Sequence, residues 1–284
     1  MGKNLLAAAA AATYLFCTTP LAWSQQPEGS FVVPPTPRSG EIVRFSLRLP
    51  AGAHGGEVSL DGRTLPGFVT GGILNVYMGI DMDVKPGPHE VSYKMGNASG
   101  SWQLEIGPRE FASEALTVES KYTDLDKATL DRVAKERTRL AKIWKTVTKE
   151  RLWAKSFVKP ADGPNGSPFG LRRFFNKKPK SPHSGLDIKA PAGSGIFASN
   201  AGRVVVASDL FFTGNTVVID HGLGLYTIYA HMSRIDVKEG DLVERSQALG
   251  LVGATGRVTG PHLHWAVKLG GARVDPSTLP GVLL

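Results

Sequence analysis

Between Gly40 and Gly107, apolar and polar residues alternate in short runs: Ile42–Leu47, Glu57–Leu60, Ile73–Ile80, His89–Tyr93 and Ser101–Ile106. A period of two sends successive side chains to opposite faces, which is the signature of a half-buried strand. Asp61-Gly62 and Lys85-Pro86-Gly87-Pro88 punctuate the runs as turns. Short strands at this spacing predict a small immunoglobulin-like sandwich over residues 39–108.

The period changes after Asp124. Leu125, Leu130, Val133, Leu140, Ile143, Trp144 and Val147 recur at near-helical spacing, with mixed Lys, Arg, Glu and Asp on the other faces as far as Trp153. This predicts an amphipathic helix with Thr123-x-x-Asp126 as a capping box. We expect the helix to lie in a linker over residues 109–166, which closes on the Pro/Gly-rich stretch Lys159–Gly166. β-rich runs then return at Gly202–Ser208, Thr216–Asp220, Leu225–Ala230, Ala248–Gly253 and His264–Lys268, separated by Gly-containing turns. They predict a second β domain over residues 167–284. The expected fold class is all-β, with two β domains joined by an amphipathic helix.

The N-terminus departs from both patterns. Lys3, the Ala/Leu-rich run Leu5–Cys17 and the Ala22-Trp23-Ser24 site read as a secretory signal peptide over residues 1–24, with a Pro-rich leader over 25–38. The run is too short to span a bilayer comfortably, which disfavours an uncleaved anchor. Cys17 is the single cysteine. Phe16 before it is unlike the small residue that precedes a lipidated cysteine. The mature chain then has no thiol and no disulfide, and no stable membrane span. Loss of Lys3 lowers the net charge from +8 to +7. A basic exported chain suits an anionic polymer such as cell wall. No nucleic-acid motif is present, and export argues against that partner.

The candidate chemistry lies in the second domain. His183-Ser184-Gly185-Leu186-Asp187 reads H-x-x-x-D, and His262-Leu263-His264 reads H-x-H. Tyr229-Ala230-His231 supplies a further histidine. Residues i and i+2 of a strand point to one side, so His262 and His264 can share a site while Leu263 enters the core. Pro182, Gly185 and Pro191 place His183 and Asp187 on a loop entering a strand. Two imidazoles and a carboxylate make a three-ligand zinc set that leaves a fourth position open. His221, after Asp220 at a strand end, reads as structural, and His54 and His89 as surface residues. Arg172 and Arg173, just before the first motif, are candidates to pair with substrate carboxylates, and Phe211 and Phe212 with Asn215 are candidates to line a groove.

These motifs resemble the lysostaphin-type (LytM-type) zinc metallopeptidases that cut peptidoglycan cross-links. Gly214–Gly222 and Gly250–Gly256 carry the resemblance further, over about Phe169–Pro276. It implies a lysostaphin-type β-sheet domain, one zinc per chain on His183, Asp187 and His264, and catalytic roles for His231 and His262. It also implies peptidoglycan stem peptides as partners and a periplasmic or cell-envelope location. The N-terminal β domain resembles those of exported wall-remodelling enzymes, which favours the D,D cross-link. A catalytically silent wall-binding activator of another hydrolase requires a lost position of the family pattern, and none is lost. Val237–Gly250 resembles the hairpin of biotinyl and lipoyl carriers, but lacks their lysine at a tight tip.

Overall fold

The computed structural model describes residues 26–116, 125–175, 178–179 and 181–279. The expected signal segment and Thr123 of the expected capping pair lie outside these residues. The N-terminal strands are β1 (Phe31–Val33), β2 (Ile42–Arg48), β3 (Glu57–Leu60), β4 (Arg63–Pro66), β5 (Phe68–Thr70), β6 (Ile73–Gly79), β7 (Gly87–Met95) and β8 (Ala98–Ile106). They form two four-stranded antiparallel sheets, ordered β1-β2-β6-β5 and β4-β3-β7-β8. The alternation seen in the sequence sets the inner faces: Phe45, Leu47, Val58, Leu60, Leu74, Val76 and Val91 are fully buried. Phe45 and Trp102 meet edge to face across the core at 5.9 Å. Asp61 and Gly62 turn the β3–β4 hairpin with φ of 48° and 78°, as an Asp-Gly pair does between twisted strands.

Four elements follow: β9 (Ser113–Leu116), α1 (Lys127–Lys145), β10 (Arg172–Phe175) and β11 (Lys178–Pro179). β9 runs parallel to β10 and β11 pairs on its other side. The helix is shorter than its periodicity predicts. Asp126 is the N-cap itself, accepting the Thr129 N–H at 2.7 Å, rather than the far member of a capping box. The helix ends at Lys145, leaving Val147 outside it. Leu130 is 52% exposed and no helical residue is fully buried. Only Leu140, Ile143 and Trp144 rest on a patch of Val206, Val218 and Tyr226.

Residues 146–166 differ from the free linker that their composition predicts. They strap the second domain, with Trp153, Phe157 and Ala161 in its core. The strap is bonded along its length: Leu152 N–H to the His221 carbonyl (2.9 Å), Val158 N–H to that of Ser199 (3.0 Å), and the Phe197 N–H to that of Pro160 (2.8 Å). Its polar backbone therefore finds partners inside the fold.

The C-terminal strands are β12 (Gly185–Ile188), β13 (Gly195–Phe197), β14 (Gly202–Leu210), β15 (Gly214–Asp220), β16 (Leu225–Ile235), β17 (Leu242–Val243), β18 (Ala248–Val252), β19 (Leu263–Leu269) and β20 (Ala272–Val274). They make one nine-stranded antiparallel sheet with the spine β12-β19-β16-β15-β14-β17. β18 pairs with β13 and β16, and β20 pairs with β19. One hydrophobic core runs through both domains. At their junction Gly79 lies where a Cβ would come within 2.8 Å of Val274 and 2.9 Å of Ala272. Asp81 takes Arg273 in a two-pronged pair at 2.6 and 3.1 Å, and Arg109 reaches Asp275 at 2.5 Å. Planar guanidinium–carboxylate pairing of this kind fixes orientation as well as distance. Among the described residues, no helix is long and apolar enough to cross a membrane.

His221 is fully buried, with Nδ1–H donating to the Ala201 carbonyl at 2.7 Å and Nε2 at 2.7 Å from Thr227 Oγ1. Burial pushes its pKa down to about 4 against that carbonyl bond. Below pH 6.5 the unfolded chain takes up a proton that the folded chain refuses. Stability is therefore full above that pH and falls as pH drops toward about 4, by about 3 kcal/mol through this residue. Urea unfolding at pH 7 and pH 4.5 should show a steeper acid loss for the wild type than for His221→Gln.

Candidate functional site

β12 and β19 pair in a register that sets Asp187 directly opposite His264. The loop entering β12 folds His183 back onto the same spot, through a bond from its N–H to the Leu171 carbonyl at 3.0 Å. Asp187 Oδ1, His183 Nε2 and His264 Nδ1 form a nearly equilateral triangle with sides of 2.9, 3.0 and 3.0 Å. All three side chains are mostly buried. Burial opposes the charged form of Asp187. The hydrogen bonds to His183 and His264 outweigh it and hold the carboxyl well below the usual carboxylate range.

The donor set fits a zinc ion. Imidazole nitrogens and a carboxylate at bond lengths of about 2.0–2.1 Å on tetrahedral axes stand about 3.3 Å apart, close to the observed triangle. His183 Nδ1 lies 2.8 Å from the Pro168 carbonyl. A carbonyl only accepts, so Nδ1 carries a proton, and a metal taking the place of the Nε2 proton would meet the Nε2 lone pair in the triangle. Gly185 has to be glycine here. A Cβ would lie 2.5 Å from the Trp265 carbonyl and 2.7 Å from the His264 ring.

His262 and His231 flank the triangle. Leu263 is fully buried in the core, and His262 Nε2 points back to within 3.6 Å of Asp187 Oδ1. The H-x-H strand geometry is thus as its spacing predicts. His231 is different. Tyr229 pairs with Trp265 and Ala230 with His264, so Tyr229 faces the core and strict alternation would send His231 after it. An extra residue in β16, opposite Asn215–Val217 of β15, breaks the register. His231 sits at this bulge with φ of 65°. The bulge re-aims its ring toward the site, 4.9 Å from that of His262 and 5.9 Å from that of His264. His231 Nδ1 donates to the Thr255 carbonyl and His262 Nδ1 to the Gly260 carbonyl, each at 2.9 Å. Both Nε2 atoms are left as acceptors. Burial lowers the His231 pKa to about 4, against the pull of the Thr255 bond, so the ring is neutral at pH 7.

The other sequence candidates spread out. Phe211 and Phe212 meet edge to face at 5.0 Å, with Arg257 4.5 Å over Phe212. Asn215 donates its N–H to Thr255 Oγ1 at 3.0 Å. Arg172 and Arg173 fall in β10, with Arg172 exposed. His54 is exposed. His89 is held between Asp61 and the Lys85 carbonyl in the N-terminal sandwich. His221 is engaged in the core.

The model of peptidase family M23 matches residues 181–276, which contain all five clustered residues. A crystal structure of a Pseudomonas aeruginosa protein assigned to peptidase M23 is 32% identical, with a TM-score of 0.69 over 87% of this chain and 96% of that one. The chain belongs to peptidase family M23. Curated relatives include the peptidoglycan DD-endopeptidase ShyA of Vibrio cholerae, 45% identical over 95 residues, covering 34% of this chain and 22% of that protein. The DD-carboxypeptidase/endopeptidase Mpg of Neisseria meningitidis is 39% identical over 110 residues, covering 39% of this chain and 25% of that protein. The chain thus spans about a quarter of the length of these curated relatives.

Sequence reasoning missed the groups that hold these histidines. The carbonyls of Pro168, Thr255 and Gly260 carry no residue-specific signal. Thr255 lies within Gly250–Gly256, a stretch noticed as a whole, yet its side chain gave no reason to be singled out.

Proposed function

We propose that the chain is an exported zinc metalloendopeptidase that hydrolyses the D,D peptide cross-links of bacterial peptidoglycan. His183, Asp187 and His264 are the zinc ligands, one ion per chain, and His231 and His262 are the catalytic pair. The observation that carries this reading is the arrangement of two imidazole Nε2 lone pairs beside a triangle of three ligand atoms. Names of the curated relatives, DD-endopeptidases of peptidoglycan among them, support the substrate class. Residues 1–24 act as the signal peptide, and the periplasm or cell envelope is the site of action.

Bound zinc would supply Lewis acidity toward water and toward the scissile carbonyl. The residues supply the rest. Fixed by main-chain carbonyls, His231 and His262 cannot turn their Nδ1 atoms inward, so each presents Nε2. One Nε2 accepts the proton of the attacking water and returns it to the leaving amine. The other, having taken a proton from solvent before the attack, donates its Nε2–H to the oxyanion as charge develops there. The neutral state of His231 at pH 7 suits it to accept. The pair is assigned jointly.

Mass spectrometry of muropeptides after digestion tests the reading, since product masses identify the bond cut. D,D-cleaved monomers with about one zinc per chain are expected, and a chelator should abolish them. A metal-loaded chain that binds sacculi and releases no fragments would instead point to a silent activator. Gly185→Ala should push the His264 ring aside and weaken zinc binding by about 10–100-fold, the range known for partners that orient ligands. Competition with a zinc chelator measures this directly.

A further inference from the structure

α1 lies outside the stretch that matches the family, yet it reaches toward the catalytic side. Arg132, Glu136 and Arg139 are spaced i, i+4 and i+7, so they form one stripe along the helix. All three contact the end of β14 and the turn after it. Arg132 binds the Asp209 carboxylate at 2.9 Å and Glu136 at 2.7 Å. Arg139 bonds Ser208 Oγ at 3.2 Å and pairs with Glu239. Glu136, mostly buried, accepts the Phe211 N–H on both carboxylate oxygens at 3.0 and 3.2 Å.

The turn held in this way continues directly to His231. The Thr213 carbonyl accepts the His231 N–H at 2.9 Å, and the Phe212 carbonyl accepts that of Arg257 at 3.0 Å. Gly214 lies against Thr255 and Gly256 so closely that a Cβ would come within 2.3 Å of Thr255 Oγ1. Thr255 then closes the circuit. Its hydroxyl donates to the Met232 carbonyl at 2.8 Å, and its own carbonyl takes His231 Nδ1–H. The left-handed backbone of His231 is thus bracketed on both sides by two turns locked to each other. One of those turns is anchored by a helix from the inter-domain segment.

We infer that Glu136 is a positioning residue for His231, acting through the Phe211–Gly214 turn and Thr255. The inference rests on the catalytic reading of His231. A carboxylate that takes a turn N–H twice fixes the height of that turn. The turn sets where the His231 ring stands over the ligand triangle, and small displacements of a catalytic group are costly.

The test uses the full chain and a soluble cross-linked muropeptide dimer. Alanine is the best helix former, so Glu136→Ala keeps α1 while removing the anchor. It should lower kcat by roughly 10–100-fold, with KM and zinc per chain unchanged. Glu136→Gln, whose amide oxygen still accepts the Phe211 N–H, should recover most of the rate. A role in stability alone would lower the melting temperature and leave kcat of the folded enzyme within twofold of wild type, which would overturn the inference. Loss of zinc alongside kcat would overturn it too, because the ligands and not His231 would then have moved. His231→Asn is run in parallel. If it reduces kcat while Glu136→Ala does not, only the positioning inference falls. If it leaves kcat intact, the catalytic reading falls and takes the inference with it.

Discussion

His264→Ala should bring zinc from one ion per chain to near none and remove peptidoglycan hydrolysis with it. On the proposed reading the loss should exceed the roughly 10–100-fold that orienting partners are worth, because the substitution removes a ligand itself. His264 is the hinge of the triangle. It stands opposite Asp187 in the β12–β19 register, and its Nδ1 lies within 3.0 Å of both other donors. Without it, His183 and Asp187 present two donors, one short of the set that an open catalytic site keeps. The strand around it should survive, since Leu263 and Trp265 carry its core side. Atomic absorption on purified protein, together with release of soluble muropeptides, checks both halves. Full zinc and full activity in this variant would remove the ligand assignment.

The second large effect separates chemistry from metal binding. His231→Asn and His262→Ala should each lower kcat by about 10²–10⁴, the usual worth of a positioned acid or base, while zinc content stays near one per chain. Asparagine is the appropriate replacement at residue 231. The backbone there has φ of 65°, a region that asparagine tolerates and alanine does not. The double variant should be little worse than the worse single one if the two rings act on one proton-transfer sequence. Loss of zinc in either variant would make that histidine a ligand instead. His262, with Nε2 3.6 Å from Asp187, is where this outcome would be most informative.

Much of this site was legible from spacing. H-x-H on a strand places both rings on one side and the intervening leucine inside, and the structure has that geometry. Five of the eight strands of the first domain were legible for a related reason, because alternation sets most of their inner faces. Strands β1, β4 and β5 were not, being three or four residues long with no full period to read. His231 shows the limit more sharply. Alternation sends it to the core with Tyr229, and only a one-residue bulge, a property of pairing between distant segments, returns it to the site. The strap was misread for a related reason. Trp153, Phe157 and Ala161 follow no strand period, and a Pro/Gly-rich composition resembles a linker whether or not its backbone finds partners. Glu136 looked like one more charge on a solvated helix, since its partner is a main-chain N–H 75 residues away.

The strap also decides where this protein can be cut. A catalytic fragment begun at residue 167, where composition suggests a natural start, would leave Trp153, Phe157 and Ala161 behind. The floor of the remaining half would then be hollow, and the carbonyls of His221 and Ser199 would lose the amides that cap them. Excision upstream of residue 146 keeps that floor but still strips Gly40, Gly79 and Asp81 from the β20 edge. The front sandwich is therefore less a detachable bead than a buttress for the second domain.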